Sequence, residues 1–348
     1  FGFPPSVDRR QAFLGCFAGD ALVVSTKTEL QWWDGEGRVS QRERFVGGNA
    51  GTPEALLACD SGAILRGGDG PLRVWTPAAG AQTYPLLDVR ALAGAGELVA
   101  YGLGDGTVGV LRLAGGALSP RGEAVALGEG GTRYVARLAW LGPTRLVALL
   151  RGLDLGDPES AAVQVVREGR AALALLRHDP ATGALELVEE QRRGGAQSLA
   201  VLGAAPPTIL LGTSLGNLLP LRVTASAEGE ALTDVPGQSD RAFGTPVSCR
   251  DLAPIDATRA LGAFDVRDLD PSGALPKQHA HLNGVLLYDL EQARAQGSAY
   301  RARVFVVSGY GPKRLIYDPG SEQVVVFSDV GGAYVYDLAT LEEQAERE

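Results

Sequence analysis

The tightest constraint on this chain is a short pattern that recurs from end to end. An apolar run leads into a turn closing on glycine, and a second apolar run follows. The pattern is plainest in GAILR–GGDGPLRVW (62–75), ELVAY–GLGDGTVGVL (97–111), TILLG–TSLGNLLPL (208–221) and QVVVF through DVGGAYVYD (323–337). Asp-Gly, Asn-Gly and Gly-Gly pairs supply the positive φ that a tight hairpin needs, and β-branched residues fill the flanks. Three further pairs fit with looser turns. ALVVSTKTELQWWD (21–34) turns at Thr26-Lys27-Thr28, RLVALLRG (145–152) meets AALALLRHD (171–179), and RALGAF (259–264) meets NGVLLYDL (283–290). Seven hairpins spaced by roughly 50 residues account for the whole chain.

A twisted four-stranded sheet cannot bury both its faces alone, and neighbours packed face to face around an axis cover them. Seven such units therefore predict an all-β fold, a seven-bladed β-propeller of four-stranded antiparallel blades. With 348 residues the length suits either two average domains or one large all-β domain. The repeat selects one propeller over 1–340, followed by a C-terminal tail at 341–348 where a helix starts. Closure is expected from the N-terminal strand, Arg10–Phe17, pairing into the last blade after Tyr334–Leu338. A pair of β-sandwiches is the alternative, but sandwiches do not repeat one hairpin seven times.

The third strands end alike, in Trp33-Asp34, Tyr288-Asp289 and Tyr336-Asp337, with His178-Asp179 as a variant. Here the chain resembles the WD40-like β-propellers, whose third strands commonly end in Trp-Asp. The resemblance spans the full length as a pattern. The Gly-His dipeptide frequent in such repeats is missing, which makes this a divergent example.

Two blades carry insertions, Leu153–Arg170 in the fourth and Asp265–Leu282 in the sixth, both between the second and third strands. Equivalent connections emerge on one face of a propeller, and long loops on a rigid scaffold are where binding resides. This predicts a non-catalytic scaffold that binds protein partners in a multi-subunit assembly, with Arg151, Arg167, Arg170 and Arg267 as anchors. A third polar stretch, Thr224–Pro246, reads as a solvated loop.

The sixth-blade insertion also offers a metal alternative. Asp268, Asp270, Ser272 and Gly273 match the start of a calcium loop, D-x-D-x-S-G, but the twelfth position is His279 where a bidentate Glu belongs. His279 and His281 with an aspartate offer instead a zinc-like ion two imidazoles on one side of an extended strand. An Asp-Pro turn in a solvated loop explains the same residues, so no cofactor is expected. A metal-dependent hydrolase or calcium-stabilised ligand binder is the alternative function.

A formal charge of −9 argues against nucleic-acid binding, which needs a basic field. No apolar run is long enough to span a membrane, so the chain reads as soluble, with a cytoplasmic placement preferred. It contains no methionine, even at position 1, and is expected to be a processed product whose N-terminus can have carried a targeting signal. Cys16, Cys59 and Cys249 lie far apart in apolar surroundings and read as buried free thiols.

Overall fold

The computed structural model describes residues 14–45, 53–128, 133–152, 171–203, 206–226, 229–235, 240–241, 248–265, 284–296, 303–306, 312–328 and 333–347. Its strands form seven antiparallel sheets, the blades of a β-propeller. Blade 1 holds β1 (Leu14–Ala18), β2 (Ala21–Ser25), β3 (Glu29–Trp33) and β4 (Val39–Arg44). Blade 2 holds β5 (Pro53–Ala58), β6 (Ile64–Gly68), β7 (Pro71–Thr76) and β8 (Gly80–Leu87). In blade 3 are β9 (Val89–Ala95), β10 (Leu98–Leu103), β11 (Thr107–Ala114) and β12 (Ala117–Ala126). Blade 4 has β13 (Arg133–Trp140), β14 (Arg145–Gly152), β15 (Ala172–His178) and β16 (Leu185–Arg192). Blade 5 has β17 (Ala196–Leu202), β18 (Thr208–Thr213), β19 (Asn217–Ser226) and β20 (Gly229–Asp234), with the short β21 (Asp240–Arg241) beside β19. Blade 6 comprises β22 (Ser248–Pro254), β23 (Arg259–Asp265), β24 (Gly284–Asp289) and β25 (Arg303–Val306). Blade 7 shows β26 (Pro312–Asp318), β27 (Gln323–Ser328) and β28 (Ala333–Asp337) among the described residues. Each of the seven hairpins expected from the sequence is the central pair of one blade.

The described residues fall into two compact units, one drawn from Pro4–Leu150 and Ala174–Val188, the other from Arg151–Leu173 and Glu189–Glu348. In each, side chains alternate between two apolar layers, as a period of two requires. On β23 and β24, Ala260, Phe264, Leu286 and Tyr288 face a cluster with Leu210, Leu218 and Leu252 of blades 5 and 6. Their neighbours Leu261, Ala263, Val285 and Leu287 face Leu315, Val324 and Val326 of blade 7. In the other unit Ile64 packs with Val23, Leu30, Trp32 and Phe45. The next residue, Leu65, packs with Val89, Val99 and Leu111. Each such fully buried leucine contributes about 1.5–3 kcal/mol of burial free energy. Adjacent Trp32 and Trp33 are both buried, although successive residues of a strand point to opposite faces.

The aspartates that end the third strands have a local role. Asp34 Oδ1 accepts the N–H groups of Glu36 (3.0 Å) and Arg38 (2.9 Å), closing the turn into β4. These backbone bonds, the one from Arg38 foremost, hold its carboxyl below the usual carboxylate range. Asp179 does the same with Ala181 N–H at 2.9 Å and Thr182 Oγ1 at 2.7 Å. Asp289 caps α1 (Leu290–Gln296), accepting from Glu291 and Gln292 at 2.8 and 3.1 Å. That short helix occupies a connection where blades 1 to 4 keep a turn.

Two expectations need correction. Leu14–Phe17, expected to pair into the last blade, instead lies in β1 and pairs with β2 from Leu14↔Ser25 to Ala18↔Ala21. The Gly19-Asp20 turn makes that partner only a few residues distant, and a short loop closes at the lowest entropy cost. Residues 10–13 of the same segment lie outside the described residues. The stretch Thr224–Pro246 is also more than a loop, because β19 runs to Ser226 and pairs with β20 from Leu221↔Asp234 to Ser226↔Gly229. An outer strand is solvated on its free edge, so its polar composition is compatible with pairing.

At the C-terminus, β28 leads directly into α2 (Leu338–Arg347). Leu338 and Leu341 are buried with Leu315 and Val324, and Glu342 Oε1 accepts from Arg259 Nη1 at 2.8 Å. The helix therefore begins before residue 341 and is packed on the blades.

Candidate interaction surface

The first strands carry a repeated irregularity. In blades 2, 3, 5, 6 and 7 the register against the second strand slips by one residue, which makes Glu54, Arg90, Gln197, Arg250 and Lys313 the extra residue of a bulge. A bulge of this kind re-aims one side chain and recurs beside functional sites. All five residues are polar, and each stands two positions before a leucine: Leu56, Leu92, Leu199, Leu252 and Leu315. This polar–x–Leu signal was available in the sequence, yet it breaks the alternation by which strands are recognised and escapes a search for period two.

In the first unit the bulges build a charged cluster. Arg90 Nε lies 2.5 Å from Asp88 Oδ1, while its two terminal nitrogens lie 3.3 Å from Asp69 and 3.5 Å from Glu54. Asp69 sits in the turn between β6 and β7, and Asp88 in the link from blade 2 to blade 3. Gly104 N–H, in the turn between β10 and β11, donates to Asp88 O at 3.1 Å. Turns between second and third strands thus meet the links between blades at one end of this unit. Asp88 has φ of 54°, a left-handed conformation uncommon outside glycine. Such residues persist only where surroundings over-determine them and tend to gather at functional sites. Beside it Leu87 is 63% exposed, an apolar side chain at the rim of the cluster. Arg90 is 29% exposed, and in such half-solvated surroundings each ion pair is worth about 0.2–1 kcal/mol. The cluster therefore contributes little to stability.

In the second unit the same strand ends are internally tied. Gln197 Oε1 accepts from Ser248 Oγ, and Ser198 Oγ donates to Cys249 O at 3.0 Å. Asp251 Oδ2, buried, accepts Leu315 N–H at 2.9 Å, with Arg314 Nη1 3.7 Å from its other oxygen. These contacts pin the first strand of blade 5 to that of blade 6, and that of blade 6 to that of blade 7. Cys249 is buried beneath them, and burial pushes its thiol up to about 12. Cys16 and Cys59 are free and half-buried, where complete burial was expected.

Of the anchors expected from sequence, Arg151 is half-buried near the end of β14, where the fourth-blade insertion begins. Arg167, Arg170 and Arg267 lie outside the described residues, as do Asp268, Asp270, His279 and His281. Among the described residues no group of three or more His, Cys, Asp or Glu side chains is placed to hold a metal ion. His178 is buried, its Nδ1–H donating to Pro143 O at 3.0 Å with the ring edge-on to Trp140 at 5.3 Å. Trp140 in turn donates from Nε1 to Ala93 O on β9 at 3.1 Å, so its ring joins blade 4 to blade 3. No helix among the described residues is long and apolar enough to cross a membrane.

Comparison with solved structures places the architecture. A structure of U3-55K superposes with a TM-score of 0.62 over 94% of this chain and 90% of its own, at 13% identity. The fold is that of the WD40 β-propellers. The RRP9 WD40 repeats match with a TM-score of 0.62, 12% identity and coverage of 94% and 89%. The β-propeller domain of Myceliophteria thermophila Cps50 (Swd1) matches equally, with 11% identity over 94% and 96%. No protein-family model and no curated protein sequence matches the chain. At such identities the WD40 likeness is one of backbone and blade order, carried by the hairpins and Asp-capped turns described above.

Proposed function

We propose that this protein is a non-catalytic propeller scaffold that mediates protein–protein interaction as a subunit of a larger assembly. Partners dock on the connections between second and third strands, chiefly the inserted segments 153–170 and 265–282, with Arg151, Arg167, Arg170 and Arg267 as anchors. One observation carries this reading: the same connection is residues 26–28 in blade 1, 69–70 in blade 2, 104–106 in blade 3 and 214–216 in blade 5, whereas blades 4 and 6 extend it several-fold. Selection for folding alone favours the short turn, and long insertions on a rigid frame are where recognition resides. The Arg90–Asp88–Asp69–Glu54 cluster adds a charged patch at the equivalent end of the first unit, suited to setting orientation and association rate.

The test replaces each insertion with a two-residue Asn-Gly turn, singly and together, and measures partner recovery from the native source by quantitative mass spectrometry. The expected result is loss of the co-purifying partner with the melting temperature nearly unchanged. Undiminished recovery by the doubly shortened protein overturns the reading.

A further inference from the structure

The outer strand of blade 5, β20, pairs on one side with β19 and has no strand on its other side among the described residues. An open edge of this kind is a template on which another chain can add a strand. Val235 N–H donates to Pro220 O at 3.0 Å, which sets the phase of the antiparallel ladder. By that phase Val223↔Leu232 is a pair whose N–H and C=O groups point outward, so both Leu232 groups face away from β19.

Side chains from blade 4 take up both groups. Glu189 Oε2 on β16 accepts the Leu232 N–H at 2.6 Å, and Gln191 Nε2 donates to Leu232 O at 2.8 Å. One side chain thus supplies an acceptor and the other a donor, as a neighbouring strand would. Glu189 and Gln191 stand two residues apart and project from one face of β16. Gln191 Nε2 also donates to Glu189 Oε1 at 2.6 Å, tying the two together. Arg193, just past the strand, donates to Gln191 Oε1 at 2.6 Å and to Asp234 Oδ1 at 2.8 Å. A guanidinium only donates, so it holds the amide oxygen and leaves the amide nitrogen facing Leu232. Leu232 is 2% exposed, in a strand whose other residues are half-buried or exposed.

We propose that Glu189 and Gln191, oriented by Arg193, act as a surrogate strand that closes the edge of blade 5 to strand addition by a second copy of this chain. Two β20 strands paired about Leu232 would set Glu230 opposite Asp234, a like-charge obstacle that salt screens. The test therefore compares the full chain with Glu189→Ala/Gln191→Ala in high salt, by amide hydrogen exchange and by sedimentation over a concentration series. In the unaltered chain the Leu232 amide should exchange as slowly as that of Thr233, which bonds within the sheet. In the double variant Leu232 exchange should accelerate about tenfold or more, with Thr233 little changed. A larger species should also appear, its share growing with concentration. Glu186→Ala, which removes an exposed carboxylate from the same strand, should match the unaltered chain in both measurements. Fast Leu232 exchange in the unaltered chain, equal acceleration of Leu232 and Thr233 in the double variant, or unchanged sedimentation of that variant overturns the assignment.

Discussion

Replacing Gly102 with alanine asks whether blades 3 and 4 approach as closely as the structure requires. Gly102 lies on β10, and a Cβ built there would stand 2.5 Å from Val135 Cβ on β13, with the γ-carbons also in overlap. Ordinary carbon contacts need about 3.5–4.0 Å, so the shortfall is roughly 1 Å. Val135 is 0% exposed, and a β-branched side chain has little rotamer freedom with which to yield. Overpacking of this kind costs about 1–3 kcal/mol, against which removing glycine from a strand returns about 0.5–1 kcal/mol. The net expectation is a loss of about 1–2 kcal/mol. Val135→Ala alone removes buried methyl groups and should cost about 2 kcal/mol. In the double variant the overlaps with the two γ-carbons are gone while that with the Cβ of residue 135 remains, so the total should fall short of the sum by about 1 kcal/mol. Urea unfolding of the four proteins measures this coupling. Additivity within about 0.5 kcal/mol, or stabilisation by Gly102→Ala alone, refutes the close approach.

Three further outcomes are expected. Asp251→Ala strands the buried Leu315 N–H and should cost about 1–3 kcal/mol, whereas Asp251→Asn keeps an acceptor oxygen and should cost less; equal losses in urea unfolding contradict the pinning role. The folded Cys249 thiol titrates near 12 against an ordinary 9.0, so between those values the unfolded chain sheds a proton that the folded chain keeps. Stability therefore falls as pH rises above about 9, by up to about 1.4 kcal/mol per pH unit from this group; Cys249→Ala should flatten that slope, and an unchanged slope is the contrary result. Exhaustive chelation should leave melting temperature and partner recovery unchanged. A drop in either, with metal found by elemental analysis, favours the reading built on Asp268, Asp270, His279 and His281.

The parts legible in the sequence are those whose burial is two-sided. β14 and β15 are buried almost throughout, so their residues read as LVALL and ALALL and cannot be mistaken. Outer strands do not announce themselves. β12 runs ALSPRGEAVA with no residue buried, because it has only one covered edge and its composition answers to solvent. Five of the first strands were hidden by their bulges, since a residue inserted at Arg90 or Gln197 breaks the alternation within the strand. α1 carried a usable signal, Asp289 followed by Glu291 and Gln292 at a helix start, overshadowed by its position where the repeat predicts a turn.

The candidate surface follows the same division. From sequence, Asp69, Asp88 and Arg90 are three charged residues near two turns. Their convergence depends on a hairpin turn, an inter-blade link and a bulge arriving at one end of the same unit. Arg66 and Arg73 face each other across one hairpin, and the Phe45 ring that covers them comes from the preceding blade.

By itself the sequence determined the number of blades, the central hairpin of each and the turn chemistry at their ends. Those depend on short-range periodicity and on residues that local backbone conformations demand. Tertiary structure decided which side chains from different blades share a layer, and where a charge is buried or exposed. Such contacts join residues tens of positions apart, such as Arg66 with Ser25 or Asp251 with Leu315, and no local pattern encodes them.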